Sequence, residues 1–265
     1  MCRSIDLNGT DPIMEKMLRG RVALVTGGAR GLGRAIAGVL ADAGASGMVL
    51  DVGFEESTLQ LPEGWIAVTG DVRRIEDIEV AVAKIGSRFG RLDVVVANAG
   101  LVPPWSETEA LDLAEWDNVF AVNVRGVAAT IKASVPLMKE TGGAIVVLGS
   151  MNSQRAHPRM CLYTATKHAV LGIVRATALD LGRYGIRVNA VGPGPILTDA
   201  LRDRIARRAA EGGPTLPEAI KRHADETALG RMATETNVAN TVLFLASNLS
   251  AAQTGVIIPV DSGLG

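Results

Sequence analysis

The chain has 265 residues, of which 48% are hydrophobic and 21% are charged, and its formal net charge is −1. Its 27 Lys and Arg residues nearly balance its 28 Asp and Glu residues, so it lacks the basic excess that a binder of nucleic acid or of an anionic membrane needs. We therefore expect no nucleic acid and no membrane as a partner. The length fits one α/β domain.

Two cysteines, Cys2 and Cys161, exclude a disulfide framework, and neither has the spacing of a zinc site. We expect no metal and a cytoplasmic location. The N-terminal residues contain no apolar core of about 7–15 residues, which a secretory signal needs. No apolar run approaches the roughly 20 residues that span a bilayer. We predict a flexible arm at 1–19 and a single domain at 20–265.

Seven short and nearly continuous apolar runs alternate with amphipathic segments of helical period. The runs cover 22–26, 47–51, 65–69, 92–97, 144–149, 186–191 and 255–260. Such runs are typical of strands that are covered on both faces of a parallel sheet. Helices are predicted between them, among them 32–43, 75–88, 112–139 and 161–184. This order predicts an α/β fold with a doubly wound seven-stranded parallel sheet and helices on both faces, the Rossmann fold.

A charged helical stretch at about 199–228 departs from this pattern and is broken by Gly-Gly-Pro at 212–214. We expect it to be an insertion that lies over a site as a helical substrate lid.

The first predicted strand leads directly into the glycine-rich run TGGARGLG at 26–33 and then into a helix. Glycines there permit a tight turn and a close approach of the backbone to a pyrophosphate, which the helix N-terminus would also face. An ordinary strand-to-helix turn is the alternative, but the required strand–turn–helix context is present. The cofactor-binding residues predicted in this turn are Gly27, Arg30, Gly31, Leu32 and Gly33.

Asp51 ends the second predicted strand, eighteen residues beyond Gly33. A carboxylate at this place accepts hydrogen bonds from both hydroxyls of an adenosine ribose and repels a 2′-phosphate, which favours NAD over NADP. Arg30 in the glycine-rich turn could pair with such a phosphate, so NADP stays open as the alternative.

Two further segments follow strands and are assigned to the cofactor. Asp71 and Val72 follow the third strand and are placed against the adenine, although an Asp after a strand is also a common helix cap. Three small residues follow the fourth strand and are placed beneath the ribose, with a generic turn as the alternative. They are Asn98, Ala99 and Gly100.

Ser150 follows the fifth strand, and thirteen residues later Tyr163 and Lys167 stand at positions i and i+4 of a predicted helix. That offset puts both side chains on one face. A tyrosine is a poor base at neutral pH, but a nearby ammonium and a positive nicotinamide ring favour its phenolate. Ser150 can hydrogen-bond a substrate oxygen. An isolated pair of this kind is usually a solvated helix surface, but the serine and the upstream glycine-rich turn favour a catalytic site.

These motifs together resemble the short-chain dehydrogenase/reductase family from about residue 20 to the C-terminus. The resemblance rests on TGGARGLG, on NAG at 98–100, on the spacing of Ser150, Tyr163 and Lys167, and on NAVGPGPILT at 189–198. It implies that Tyr163 donates or accepts the proton. It also implies that Lys167 lowers the pKa of Tyr163 and holds the nicotinamide ribose, and that Ser150 stabilises the carbonyl or hydroxyl oxygen.

The resemblance implies further site residues. Asn123 fits the helical Asn of a water-linked proton relay. The residues that correspond to the cradle of the nicotinamide are Pro193, Gly194, Ile196 and Thr198. A homotetramer built on the two long helices and the last strand is also implied.

The expected activity is hydride transfer between NAD and the carbinol or carbonyl carbon of a secondary alcohol or ketone. Many Arg and Lys residues in the predicted lid favour a polar or anionic small-molecule substrate such as a sugar, a sugar acid or a polyol, although a solvated helix face is the simpler interpretation. Two alternatives stay open. One is an NADP-dependent ketone, 3-oxoacyl or steroid reductase, and the other is a non-catalytic NAD-binding regulatory protein.

Overall fold

The structure, a computed structural model, describes residues 17–54, 61–210 and 212–264. Seven strands form one parallel sheet in the order β3-β2-β1-β4-β5-β6-β7. This confirms the predicted doubly wound arrangement. The strands are β1 Val22–Thr26, β2 Ser46–Asp51, β3 Trp65–Thr69, β4 Val94–Ala97, β5 Gly143–Leu148, β6 Ile186–Pro193 and β7 Ile257–Val260.

Eight α-helices accompany these strands in the described part of the chain. They are α1 Gly31–Asp42, α2 Ile75–Phe89, α3 Leu113–Phe120, α4 Gly126–Met138, α5 Cys161–Leu181, α6 Asp199–Ala210, α7 Leu216–Asp225 and α8 Glu235–Ala246. None of these helices is both long and apolar enough to cross a membrane.

Two predicted helices have different internal structure. The segment predicted as one helix at 112–139 consists of α3, a π-helical turn at Ala121–Arg125, and α4. The segment predicted at 161–184 ends its α-helical part at Leu181 and continues as a short 3-10 turn. In both places the hydrophobic period hardly changes, so the pattern does not mark the change of hydrogen bonding.

The sheet separates two hydrophobic cores. One face of the sheet packs against α2, α4 and α5 through side chains such as Ile78, Ile131 and Val174. The other face packs against α1 and α8 through side chains such as Ile36 and Val242. Helices on both faces explain why the strands are apolar throughout and show no alternation.

One residue near the end of the predicted arm packs against the domain. The predicted arm at 1–19 falls mostly outside the described residues, which start at Met17. Leu18 is fully buried, and its backbone N–H donates to the carbonyl oxygen of Ala43. Leu18 therefore packs against the domain, and the predicted division between arm and domain stays a prediction.

A buried carboxylate joins β1 to the residues that precede β4. Asp93 is 1% exposed and accepts hydrogen bonds from the guanidinium groups of Arg21 and Arg91 and from the backbone N–H of Val22. Burial alone would raise the pKa of Asp93, but these hydrogen bonds outweigh it and hold the pKa below its usual value. Asp93 therefore stays ionised and fixes the start of both central strands.

Candidate active site

The carboxyl ends of β1 and β4 meet where the strand order reverses. From β1 the chain continues to β2 and β3 on one side, and from β4 it continues toward β7 on the other. Ligands of doubly wound sheets bind outside such a switch point. The glycine-rich turn follows β1 and the segment 98–100 follows β4, so both predicted cofactor segments lie at this point.

Close backbone contacts require glycine at two positions of the turn. Gly27 has a φ of +66°, and a Cβ on it would lie 2.8 Å from the Cα of Ala99. A Cβ on Gly33 would lie 2.0 Å from the main-chain oxygen of Gly27. The turn therefore folds tightly onto the beginning of α1, as a pyrophosphate-binding loop does.

The N-terminus of α1 is suited to an anion. Arg30 occupies the N-cap without a capping hydrogen bond from its side chain, and the first turn of α1 contains no acidic residue. Arg30 and Gly31 are exposed, and Leu32 is half-buried. Backbone N–H groups at a helix start attract negative charge, so this end fits a pyrophosphate.

Asn98 holds the glycine-rich turn in place. Its side-chain Nδ2 donates to the main-chain oxygens of Thr26 and Gly27, each at 2.9 Å. The backbone N–H groups of Asn98 and Ala99 donate to Thr26 Oγ1 at 3.1 Å. Contact of these residues with a ribose stays a prediction, with a generic turn as the alternative. Thr26 was not predicted as a site residue, although it ends β1 directly before the glycine-rich turn.

Asp51 lies beside the same turn at the end of β2. Its Oδ2 accepts a 2.9 Å hydrogen bond from the backbone N–H of Ala29, and its Oδ1 accepts one from Val52. Within the described residues, Arg30 forms no ion pair with Asp51. The carboxylate is therefore held against the glycine-rich turn, and its contact with an adenosine ribose stays a prediction.

Of the two interpretations of the segment after β3, the helix cap is wrong. Asp71 is not the cap of α2, since the N-cap is Arg74. The carboxylate of Asp71 instead binds the backbone and guanidinium of Arg73, and the hydrogen bond from the Arg73 side chain is the main reason that its pKa is lowered. Val72 is buried in the core beneath the site. Contact of this pair with adenine stays a prediction.

The predicted catalytic side chains converge beyond the end of β5. Ser150 begins a short 3-10 turn, and Tyr163 lies in the first turn of α5. Burial raises the pKa of Tyr163, while a hydrogen bond with Ser150 and the positive charge of Arg204 act in the opposite direction. The net shift is opposite to the one expected from the resemblance, because desolvation of the phenolate is the largest effect. A lowering of this pKa by the cofactor and Lys167 together stays a prediction.

Lys167 is buried one turn after Tyr163. Its Nζ donates a 2.7 Å hydrogen bond to the main-chain oxygen of Leu148 and lies 5.6 Å from the centroid of the Tyr163 ring. Burial lowers the pKa of Lys167 to about 8. The ammonium is therefore held beside the tyrosine by the last residue of β5.

Asn123 lies in the π-helical turn between α3 and α4. Its Oδ1 accepts a 2.7 Å hydrogen bond from Leu101 N, and its Nδ2 donates to Leu101 O at 2.9 Å and to Thr166 Oγ1 at 3.3 Å. Thr166 Oγ1 in turn donates to the main-chain oxygen of Tyr163. Asn123 therefore connects the loop after β4 to the catalytic turn of α5. Its role in a proton relay stays a prediction.

The segment after β6 runs along the same end of the sheet. Pro193 ends β6, and the backbone N–H of Gly194 donates to Val260 O. Ile196 is buried in the core of the face that holds α1 and α8, and its contact with a nicotinamide carboxamide stays a prediction. Thr198 Oγ1 accepts a 3.2 Å hydrogen bond from Leu201 N, so this side chain helps to begin α6.

The predicted lid consists of α6 and α7, and α6 contacts the loop after β4. The guanidinium carbons of Arg204 and Arg208 lie 5.6 Å and 4.5 Å from the centroid of the Trp105 ring. Trp105 and Tyr163 line the same cavity, which has a volume of about 190 Å³. This is the expected place for a substrate, next to the tyrosine.

The chain matches a family model described as enoyl-(acyl carrier protein) reductase over residues 27–265. It is 33% identical to levodione reductase of Leifsonia aquatica over 256 residues, which are 92% of this chain and 93% of that protein.

Solved structures agree in fold. The NAD complex of carveol dehydrogenase from Mycobacterium avium has a TM-score of 0.85 and 32% identity, and the match covers 94% of this chain and 98% of that one. Aldohexose dehydrogenase of Thermoplasma acidophilum has a TM-score of 0.85 and 28% identity, over 93% and 94% of the two chains. The motifs, the parallel sheet and these relatives agree, and the chain belongs to the short-chain dehydrogenase/reductase family of oxidoreductases, which use a nicotinamide cofactor.

Proposed function

We propose that the protein is an NAD-dependent oxidoreductase that interconverts a secondary alcohol and a ketone on a polar small molecule such as a sugar, a sugar acid or a polyol. The observation that carries this proposal is the convergence of Ser150 and Tyr163 with the buried Lys167, at the end of the sheet that holds the glycine-rich turn.

The proposed mechanism assigns the proton to Tyr163. Burial keeps the phenol protonated at neutral pH, so its O–H donates to a carbonyl oxygen during reduction, and the phenolate accepts the alcohol proton during oxidation. Ser150 Oγ holds the same substrate oxygen. Lys167 keeps a positive charge beside the ring. When bound, the nicotinamide supplies or accepts the hydride.

Asp51 supports NAD over NADP. Its carboxylate lies against the phosphate-binding turn through Ala29 N, so a 2′-phosphate there would meet a negative charge. The similar carveol dehydrogenase is described in complex with NAD. The similar aldohexose dehydrogenase supports a polyhydroxylated substrate.

The test is a panel of secondary alcohols, sugars and sugar acids with NAD and with NADP, in which absorbance of the reduced cofactor is followed. We expect turnover with NAD, and we expect Tyr163→Phe to abolish it while NAD affinity changes little. Tight NAD binding without turnover of any compound would favour the non-catalytic regulatory protein. Turnover with NADP alone would contradict the cofactor assignment.

We also propose a homotetramer, as the family resemblance implies. The outer face of α5 supports it, because Leu179 is 85% exposed and would be covered by a second copy. A scattering mass of one chain would contradict this proposal. The cytoplasmic location stays a prediction.

A further inference from the structure

Two arginines of the lid lie against one tryptophan of the opposite loop. Arg204 and Arg208 are one turn apart on α6, and both guanidinium groups lie within 6 Å of the centroid of the Trp105 ring, at 5.6 Å and 4.5 Å. Trp105 lines the same cavity as Tyr163, and the positive charge of Arg204 acts to lower the pKa of Tyr163. Arg204 is therefore a cation at the substrate end of the site.

Arg204 lacks a counterion in the described part of the chain. Lys221 and Arg222 on the neighbouring α7 form ion pairs with Asp225 and Glu226. Among the described residues, no carboxylate lies within ion-pair distance of Arg204. The charge of nearby Arg207 is also positive. Burial lowers the pKa of Arg204, the Tyr163 phenol acts in the opposite direction, and Arg207 adds to the lowering. A half-buried cation among like charges is unfavourable unless a ligand supplies the anion.

The geometry at Trp105 favours a planar anion. An aromatic face holds a guanidinium in one plane and leaves its N–H edge free for two parallel hydrogen bonds to a carboxylate. Trp105 Nε1 is itself buried and, within the described residues, has no hydrogen-bond partner. A carboxylate has acceptors for both the guanidinium and the indole.

Part of the cavity lining carries negative charge. Asp112 and Glu115 line it from the start of α3, and Arg159 lines it while paired with Glu107. Asp112 accepts hydrogen bonds from the first turn of α3, so its charge is partly satisfied. An anionic group is therefore expected near Trp105 and the Arg204 guanidinium that lies against it, and the neutral part of the substrate near α3.

We propose that Arg204 is a specificity-determining residue that binds a carboxylate group of the substrate, which makes the substrate class a hydroxy acid or oxo acid. This inference rests on the proposed oxidoreductase function and narrows its substrate to acids. Arg208, whose guanidinium carbon lies 4.5 Å from the centroid of the Trp105 ring, holds α6 against that ring. Arg204 binds the carboxylate of the substrate.

The test compares trans-4-hydroxycyclohexanecarboxylate with its carboxamide, two alcohols that differ in charge at one end. Each is titrated by calorimetry into enzyme saturated with NADH, so that no hydride transfer accompanies binding. We expect the carboxylate to bind at least about ten-fold more tightly than the carboxamide, because charge-assisted hydrogen bonds exceed neutral ones. Equal affinities, or binding of neither compound, would overturn the inference.

Substitutions separate recognition of the carboxylate from the contact that holds α6 against Trp105. Arg204→Met should weaken carboxylate binding about 10–100-fold and change carboxamide binding little. Arg208→Met should weaken both compounds alike, because it loosens the lid. Arg202→Met, an exposed residue of the same helix, is the matched control and should change neither. If Arg204→Met weakened the binding of both compounds equally, Arg204 would only hold α6 in place, and the proposal would be refuted.

The same pair of alcohols is then oxidised with NAD to separate the two proposals. Turnover of neutral and acidic alcohols at equal kcat/KM would refute carboxylate recognition and leave the oxidoreductase function intact. Selective binding of the carboxylate without turnover of any alcohol would refute the oxidoreductase function and leave the anion site intact.

Discussion

Lys167 Nζ, on α5, donates a 2.7 Å hydrogen bond to the main-chain oxygen of Leu148, the last residue of β5. The bond fixes the catalytic helix to the end of the central sheet. It also keeps an ammonium group in a buried place, where burial lowers its pKa to about 8 from a usual value of 10.5. Burial of this charge therefore lowers the free energy of unfolding by a measurable amount, which is its cost.

The first prediction concerns that cost. Below pH 8 Lys167 is charged in both states, and the folded state carries the penalty of burying the charge. Between pH 8 and 10.5 the unfolded chain binds more protons, so the free energy of unfolding should rise with pH. We expect wild type to gain stability relative to Lys167→Met by up to about 1.4 kcal/mol per pH unit. Urea titrations of both proteins at pH 7 to 10 measure this difference in the free energy of unfolding.

The matched control for this experiment is Lys84→Met, which changes an exposed lysine on α2. Its free energy of unfolding should follow that of wild type across the same range. Parallel curves for wild type and Lys167→Met would contradict the depressed pKa of Lys167.

The second prediction concerns the glycine-rich turn. Gly33→Ala should abolish NAD binding or prevent folding, because the new Cβ would lie 2.0 Å from Gly27 O. Gly38→Ala on the same helix meets no atom within 4 Å and should stabilise the protein by about 0.5–1 kcal/mol. Fluorescence titration with NADH and thermal unfolding measure both variants. Normal NADH affinity in Gly33→Ala would remove this turn from the cofactor site.

The third prediction concerns cofactor choice. Asp51→Ala removes the carboxylate that accepts a hydrogen bond from Ala29 N, so NADH affinity should fall about ten-fold while NADPH affinity rises. Titration with the two reduced cofactors gives the ratio. Glu63→Ala, at an exposed position before β3, is the control. An unchanged ratio in Asp51→Ala would show that another group selects the cofactor.

The fourth prediction concerns the buried ion-pair cluster. Asp93→Asn should lower the free energy of unfolding by about 1.5–3 kcal/mol, because charge-assisted hydrogen bonds from Arg21 and Arg91 become neutral ones. The pKa of Asp93 is lowered, so its contribution is present above pH 3.8 and is lost as pH falls through the folded value.

Chemical denaturation at pH 7 and below pH 3.8 measures this effect. The difference between wild type and Asp93→Asn should shrink in acid, whereas Asp42→Asn, at an exposed position near the end of α1, should behave like wild type at both values. A difference that does not depend on pH would assign the loss to packing.

The strands were predictable because a strand covered on both faces must be apolar at nearly every position. The predicted runs at 22–26 and 65–69 coincide with β1 and β3, and the other runs differ at their ends by a few residues. The π-helical turn at Ala121–Arg125 was not predictable, since one extra residue in a helix hardly alters its hydrophobic period. The same limit applies to Leu18, whose burial in the core beside Ala43 depends on residues distant in the chain and on no local pattern.

The sequence by itself determined the order of strands and helices, the glycine-rich turn and the spacing of Tyr163 and Lys167, because these depend on local periodicity and on residues close together in the chain. Only the tertiary structure decided which groups surround them. Burial raises the pKa of Tyr163, and Lys167 bonds to Leu148 nineteen residues away. Arg204 meets Trp105 from the opposite side of the site. Desolvation and long-range contacts arise only when the sheet brings distant segments together, and no local pattern encodes them.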